Sequence, residues 1–276
     1  LTVAYLGPEG TYTQGAVHKH FGHAVRSRPM VAIDEIFRDV EAGNSHYGVV
    51  PIENSSEGVV SHTLDLFVSS PLRICGEVTL PIHHHLLSDR DLPDGITKVI
   101  AHPQSLAQCR TWLQTRLPAA ELETASSNGK AARLVSENPG QGWAAIAGRP
   151  AAELYDLRIA AANIEDESDN TTRFLVIGRQ QTAPTGDDMT SFVCSARGGD
   201  QRPGALFELL KPFSDAGVNM TRIESRPSRR GNWNYNFYID VAGHADEPPL
   251  TEVLKAVDSR SDLFKILGSY PRAPLT

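Results

Sequence analysis

The chain has 276 residues with a net charge of −7, 40% of them hydrophobic and 21% charged. That is long enough for two domains and apolar enough for real cores, which excludes extensive disorder. No uncharged apolar run approaches the roughly 18 residues of a membrane helix, and Cys75, Cys109 and Cys194 are too few and scattered for a disulfide scaffold. The expected setting is a reducing cytoplasm, with no membrane partner. Residues 188–276 carry 11 basic and 11 acidic side chains, so the whole negative charge sits in residues 1–187. Neither part has the positive field of a nucleic-acid binder. The basic stretch from Arg222 to Arg230 contains Glu224 and reads as a solvated face.

In chain order, Val3 to Leu6 reads as a strand that ends in the turn Gly7-Pro8-Glu9-Gly10-Thr11 and a helix start. Ile33, Ile36, Phe37 and Val40 recur with helical spacing. Tyr47 to Ile52 is a compact strand, followed by a polar turn and a helix through Phe67. Lys98 to Ala101 is another strand, with a helix from His102 to about Leu117. Trp143 to Ala147 and Arg158 to Ala162 continue the alternation. This order predicts an α/β domain with a largely parallel sheet and a ligand site at the carboxyl ends of its strands.

The polar stretch from Gln180 to Asp188 reads as a linker, and the pattern then changes. Thr190 to Ala196 is a strand, and Pro203 opens a helix with Leu206, Leu209, Leu210 and Phe213 on one face. Asn219 to Ser225 is a strand. Trp233, Tyr235, Phe237, Ile239 and Val241 alternate as in a half-buried strand. A helix around Leu250 to Val257 and a strand from Leu263 to Leu267 complete a βαββαβ order, the ferredoxin-like arrangement.

Polar residues gather where an α/β site belongs. The Gly7 to Thr11 turn offers a helix N-terminus, although it is no dinucleotide fingerprint. Glu53, Asn54 and Ser55 follow one strand, His102-Pro103-Gln104 another, and Ser126-Ser127-Asn128 opens a helix. Each alone is an ordinary cap; together they predict one pocket rich in neutral donors and poor in nucleophile–base pairs. Thr172 beside Arg173 suits a substrate with a carboxylate and a leaving hydroxyl. His83-His84-His85 lacks the spacing of a zinc site, and the acidic run Glu165-Asp166-Glu167 reads as a solvated loop.

Taken with Gly48 to Ser55, His102-Pro103-Gln104 and Asn170-Thr171-Thr172-Arg173-Phe174, the opening stretch from Val3 to Thr11 makes the chain resemble the prephenate dehydratase family over almost its whole length. Gly204-Ala205-Leu206 and Ile223-Glu224-Ser225-Arg226-Pro227 are similar to the two signature stretches of that family's ACT regulatory module. The resemblance implies a two-lobed, type II periplasmic-binding-protein-like catalytic domain over residues 1–181, a linker at 182–188 and an ACT domain over 189–276. It implies decarboxylative dehydration of prephenate to phenylpyruvate in phenylalanine biosynthesis, with no metal and no cofactor. It places the family's essential threonine on Thr172 and its pocket motifs on Asn54, Gln104 and the Ser126-Ser127 segment; Thr11, Glu53, Ser55 and Arg173 complete the expected substrate contacts. Ser126 to Lys130 departs from the alanine-rich continuation of relatives, which leaves Asn128 and Lys130 without a role.

Phenylalanine is the implied effector, expected near Gly204, Ala205, Leu206, Asn219, Met220, Glu224 and Ser225 between two copies of a homodimer or homotetramer. The sheet of a single ACT domain is expected to leave one face open for that pairing. Many relatives carry a preceding chorismate mutase domain, and a chain opening at Leu1 without Met fits a segment of such a fusion. Two rival readings are arogenate dehydratase and a non-catalytic amino-acid sensor that closes on its ligand without turnover.

Overall fold

The computed structural model describes residues 1–198, 202–228 and 234–273. Trp233, expected to begin a strand, lies outside them, as do Arg229 and Arg230 of the basic stretch. In chain order the elements are β1 (Thr2–Leu6), α1 (Tyr12–Phe21), β2 (Arg26–Met30), α2 (Ile33–Glu41), β3 (Tyr47–Asn54), β4 (Gly58–Val59), α3 (Ser61–Ser69) and β5 (Arg73–Pro81). Next come β6 (His85–Ser88), β7 (Lys98–Ala101), α4 (Pro103–Gln108), α5 (Arg110–Arg116), β8 (Glu121–Thr124), α6 (Asn128–Ser136), β9 (Trp143–Ala147), α7 (Arg149–Leu154), β10 (Arg158–Ala161) and β11 (Thr171–Gly178). The last group is β12 (Asp188–Ala196), α8 (Ala205–Asp215), β13 (Met220–Pro227), β14 (Tyr235–Ala242), α9 (Leu250–Asp258) and β15 (Ser261–Pro271).

Two sheets share one plan. The first runs β2-β1-β3-β11-β5, with β4 attached to β3, and the second runs β8-β7-β9-β6-β10. In each, three strands in 2-1-3 order are followed by two more, β11 and β5 in the first sheet and β6 and β10 in the second, and the strand next to the trio lies across a crossover from it. That strand makes the second sheet mixed: β7 pairs parallel with β8 and β9, whereas β6 pairs antiparallel with β9 and β10. A largely parallel sheet was expected, and it is the returning strand, carried by a crossover rather than by a helix, that changes the polarity. The result is a pair of α/β sheets joined by two crossovers. It is followed by a four-stranded antiparallel sheet in the order β13-β14-β12-β15 with α8 and α9 packed on it, the βαββαβ arrangement.

Local chemistry accounts for the elements that place the site. Thr11 caps α1 by accepting the Gln14 N–H, while Gln14 accepts the Gly10 N–H in return. Ser127 caps α6 in the same way through the Lys130 N–H. The helix expected from His102 to Leu117 is two, because Cys109 leaves helical dihedrals (φ −112°, ψ 15°). Its buried thiol is pushed above its ordinary range by that burial, so no thiolate stands there.

By contact density the chain forms two compact units. One comprises Leu1–Ile36, Val49–Val59 and Val78–Phe174; the other comprises Phe37–Gly48, Val60–Glu77 and Leu175–Thr276. The second unit therefore gathers α3 and the start of β5 with the C-terminal sheet. Its apolar core joins Phe192, Leu209, Phe213, Ile239 and Val253. Leu206, expected on the same buried face as Leu209 and Phe213, is 37% exposed. The buried face of α8 is formed by Ala205, Leu209 and Phe213.

An open sheet face was also expected, and the structure corrects that. Asp188 to Cys194 of β12 are buried on both faces. Opposite the helices, Ser191 bonds both Asp240 and Tyr270. Beyond them, Arg226 of β13 and Lys265 of β15 reach α3. The close approach at β15 requires a glycine: a Cβ on Gly268 would lie 2.1 Å from the Ile74 carbonyl oxygen.

Candidate active site

The β3–β4 turn and the start of β11 meet in one polar corner. Asn54 is at its centre with all four hydrogen-bonding positions used. Its Oδ1 accepts the N–H groups of Ser56 and Glu57, each at 3.0 Å, which builds the turn. Its Nδ2 donates to Asn170 Oδ1 and to Thr172 Oγ1, each at 2.8 Å. Ser55 Oγ accepts the Thr171 N–H at 2.9 Å, and the Ser55 N–H donates to the Thr171 carbonyl at 2.9 Å. Asn54 is half-buried and Ser55 is exposed. Asn54, expected in the catalytic set, and Ser55, expected as a substrate contact, both hold the strand that carries Thr172. Thr172 Oγ1 accepts from Asn54, and its hydroxyl keeps its own proton as a donor.

The remaining expected site residues divide. Glu53 lies in register with Val59 of β4. Arg173 follows Thr172 along β11, so strand alternation sets it on the opposite face. Thr11 is engaged by its cap and donates its hydroxyl to the Leu6 carbonyl at 3.2 Å. Gln104 is half-buried in the first turn of α4, and its N–H donates to His102 Nδ1 at 3.3 Å. Ser126 and Ser127 line a cavity of about 720 Å³ together with Pro8, Glu9, Met30 and Lys130. Asn54, Gln104 and Thr172 are not among its walls. The single pocket expected from sequence is thus built as a first-sheet corner and a separate second-lobe wall.

One functional-looking cluster was missed in sequence. Glu165, read as part of a solvated loop, has a side chain only 3% exposed. Its Oε1 lies 2.8 Å from His83 Nδ1 and its Oε2 accepts the His84 N–H at 2.9 Å. Burial pushes the Glu165 carboxyl up, but the bonds from His83 and the two backbone N–H groups outweigh it and the net shift is downward. Burial lowers His84, which touches Tyr12 and Gln108. These bonds tie the β5–β6 crossover to the β10–β11 crossover, the two connections between the sheets. The pairing of a histidine run with an acid 82 residues later carries no local signal. Among the described residues no group of His, Cys, Asp and Glu could hold a metal ion, and no helix is long and apolar enough to cross a membrane.

Residues 3–182 match the family model for prephenate dehydratase, and residues 197–259 match that for the ACT domain. The chain belongs to the prephenate dehydratase family. It is 54% identical to a bifunctional chorismate mutase/prephenate dehydratase of Pseudomonas aeruginosa, over all of this chain and 74% of that protein. Among solved structures, a prephenate dehydratase from Arthrobacter aurescens in complex with L-Phe aligns with a TM-score of 0.89 and 34% identity, covering 99% of this chain and 90% of that one. GqqA, described as a quorum quenching acylase, aligns with the same TM-score at 29% identity, covering 99% and 98%. Such a fold hosts more than one chemistry, and the site has to distinguish them. The activity of this family member is decarboxylative dehydration. Prephenate loses its ring carboxylate as carbon dioxide and its C4 hydroxyl as water, leaving phenylpyruvate for phenylalanine biosynthesis.

Proposed function

We propose that Thr172 is the residue that assists departure of the C4 hydroxyl, and that the Asn54–Thr172 hydrogen bond is the observation that carries this assignment. Aromatisation drives the reaction, so the protein has only to favour loss of hydroxide while the carbon–carboxylate bond breaks. The electron pair of that bond moves into the ring as the C4–oxygen bond opens, and hydroxide leaves and takes a proton from solvent. A threonine hydroxyl is too weak an acid to give up its proton readily. It can donate a hydrogen bond that strengthens as charge grows on the leaving oxygen, and the Asn54 amide sharpens it by donating to the threonine oxygen.

Gln104, Ser126 and Ser127 are the second-lobe donors that would position the dianion, with Arg173 acting as charge behind the strand rather than as a contact. No metal or organic cofactor is required by this route. Residues 1–181 would be the catalytic domain, 182–188 the linker and 189–276 the regulatory domain of an enzyme working in the cytoplasm.

Phenylalanine would bind the ACT domain. Gly204 caps α8 in the left-handed region (φ +79°) with no side-chain cap, leaving first-turn N–H groups for a carboxylate. Leu206 stands beside them, exposed, as a wall for a ring. Asn219 precedes β13 and Met220 begins it, while Glu224 and Ser225 alternate across it, so only one of the two can meet a given ligand. β13 is an edge strand, and Ile223 on it and Phe207 on α8 are 44% and 67% exposed. That edge supports a homodimer or homotetramer in which a second copy covers these side chains.

Parallel incubation with prephenate and arogenate, detecting phenylpyruvate and phenylalanine, tests the reading. Phenylpyruvate from prephenate supports it. Faster turnover of arogenate makes the chain an arogenate dehydratase, and ligand-induced closure with no product makes it a sensor.

A further inference from the structure

The geometry points to Asn128 as a positioning residue for the dehydration, one that sets Gln104 and Ser127 relative to each other. This rests on the site proposed above. Asn128 is the first residue of α6, directly after the cap Ser127. Its Oδ1 accepts the His102 N–H at 3.0 Å, and its Nδ2 donates to Ser105 Oγ at 2.7 Å. Those two residues flank Gln104 in the capped first turn of α4, and Ser105 is buried. One side chain therefore joins the N-termini of two helices that leave neighbouring parallel strands, β7 and β8.

A carboxamide is suited to that place because it offers an acceptor and a donor from one rigid plane. The next residue fixes the same junction from the other lobe. A Cβ on Gly129 would lie 2.7 Å from the Glu9 carbonyl oxygen, so the turn after β1 rests directly on the start of α6. A site whose donors must match a dianion to a fraction of an ångström needs such a cross-brace, and misplacement of about 1 Å costs about 100-fold in rate.

A double-mutant cycle on the full chain separates positioning from mere stability. Asn128→Ala is expected to lower kcat/KM for prephenate about 10- to 100-fold. Combined with Gln104→Ala it should add little, since the brace acts through the residue already lost. Combined with Thr172→Ala it should multiply. Asn128→Asp keeps the bond from His102 and lets Ser105 donate instead, so it should fold with an unchanged melting temperature. It should still raise KM by placing a charge beside the dianion site, more so at low salt. Equal multiplication in both double variants, or a fall in melting temperature with kcat/KM unchanged, would overturn the proposal. Failure of the unaltered chain to turn over prephenate would sink the site assignment itself, a separate result.

Discussion

As proposed sites, the Thr172 corner and the α8 end of the ACT sheet are opposite solutions to the problem of meeting a ligand. In the corner, Asn54 has every position filled and holds Thr172 Oγ1 at 2.8 Å before any substrate arrives. At α8 the helix starts on an uncapped Gly204, and Leu206, Phe207 and Ile223 are exposed. Catalysis by a weak hydroxyl demands a donor already in place, since reorganisation during the reaction would raise the barrier. Regulation demands the reverse. A surface completed by the ligand changes state when the ligand arrives, whereas a satisfied one has nothing to gain.

Breaking the first half of that contrast gives the largest effects. Thr172→Ala should cut kcat by about 10²–10³, with the melting temperature and phenylalanine binding retained. Steady-state turnover by a purified, folded variant within tenfold of the unaltered chain would remove Thr172 from the mechanism.

Asn54→Asp is the sharper test of preorganisation. It keeps the acceptor that builds the turn but replaces the donor to Thr172 with an acceptor. The threonine hydroxyl would then turn its proton toward the carboxylate introduced there, so kcat should fall almost as far as in Thr172→Ala. Asn54→Ala, which offers the hydroxyl no competing acceptor, should lose about 10- to 100-fold and also melt earlier.

On the other side, Leu206→Asp should leave basal turnover near its original value while phenylalanine inhibition is lost, read from dose–response curves. A chain ending near Gln181 is a poorer test than it looks from sequence. It would remove Lys265 from the α3 carbonyls and Arg226 from Asp65, so loss of activity is expected along with loss of response.

The smallest effect concerns the crossovers. Burial lowers the His84 pKa from its ordinary 6.5, so on acidification the unfolded chain takes up a proton before the folded one does. Folded stability should therefore fall as pH drops below about 6.5 and approach a plateau beneath the folded-state value. Glu165, held low by its bonds, adds a further loss at more acidic pH. Melting curves between pH 5 and 8 should show this slope, to which His18, His20 and His85, also lowered by burial, contribute, and His84→Gln should reduce it without abolishing it.

Legibility followed the range of the interactions. The strand from Val3, the helix through Ile33, Ile36, Phe37 and Val40, and the βαββαβ order of the last domain were readable because periodicity and caps act within a few residues. So were the positions of Thr172 and Asn54, through the family motifs that carry them. The break at Cys109, the antiparallel β6 and the burial of Glu165 were not, since each is set by a partner remote in the chain.

By itself, then, the sequence determined most of the elements, the family and the residues from which the proposed site is made. The tertiary structure alone decided what those residues do with their hydrogen bonds. Asn54 and Ser55 are committed to Thr172 and its strand, and Asn128 ties the turn around Gln104 to α6. The second face of the ACT sheet is closed by α3. A side chain's type limits which bonds it can make. Only the partners that folding brings within about 3 Å select which of them it makes.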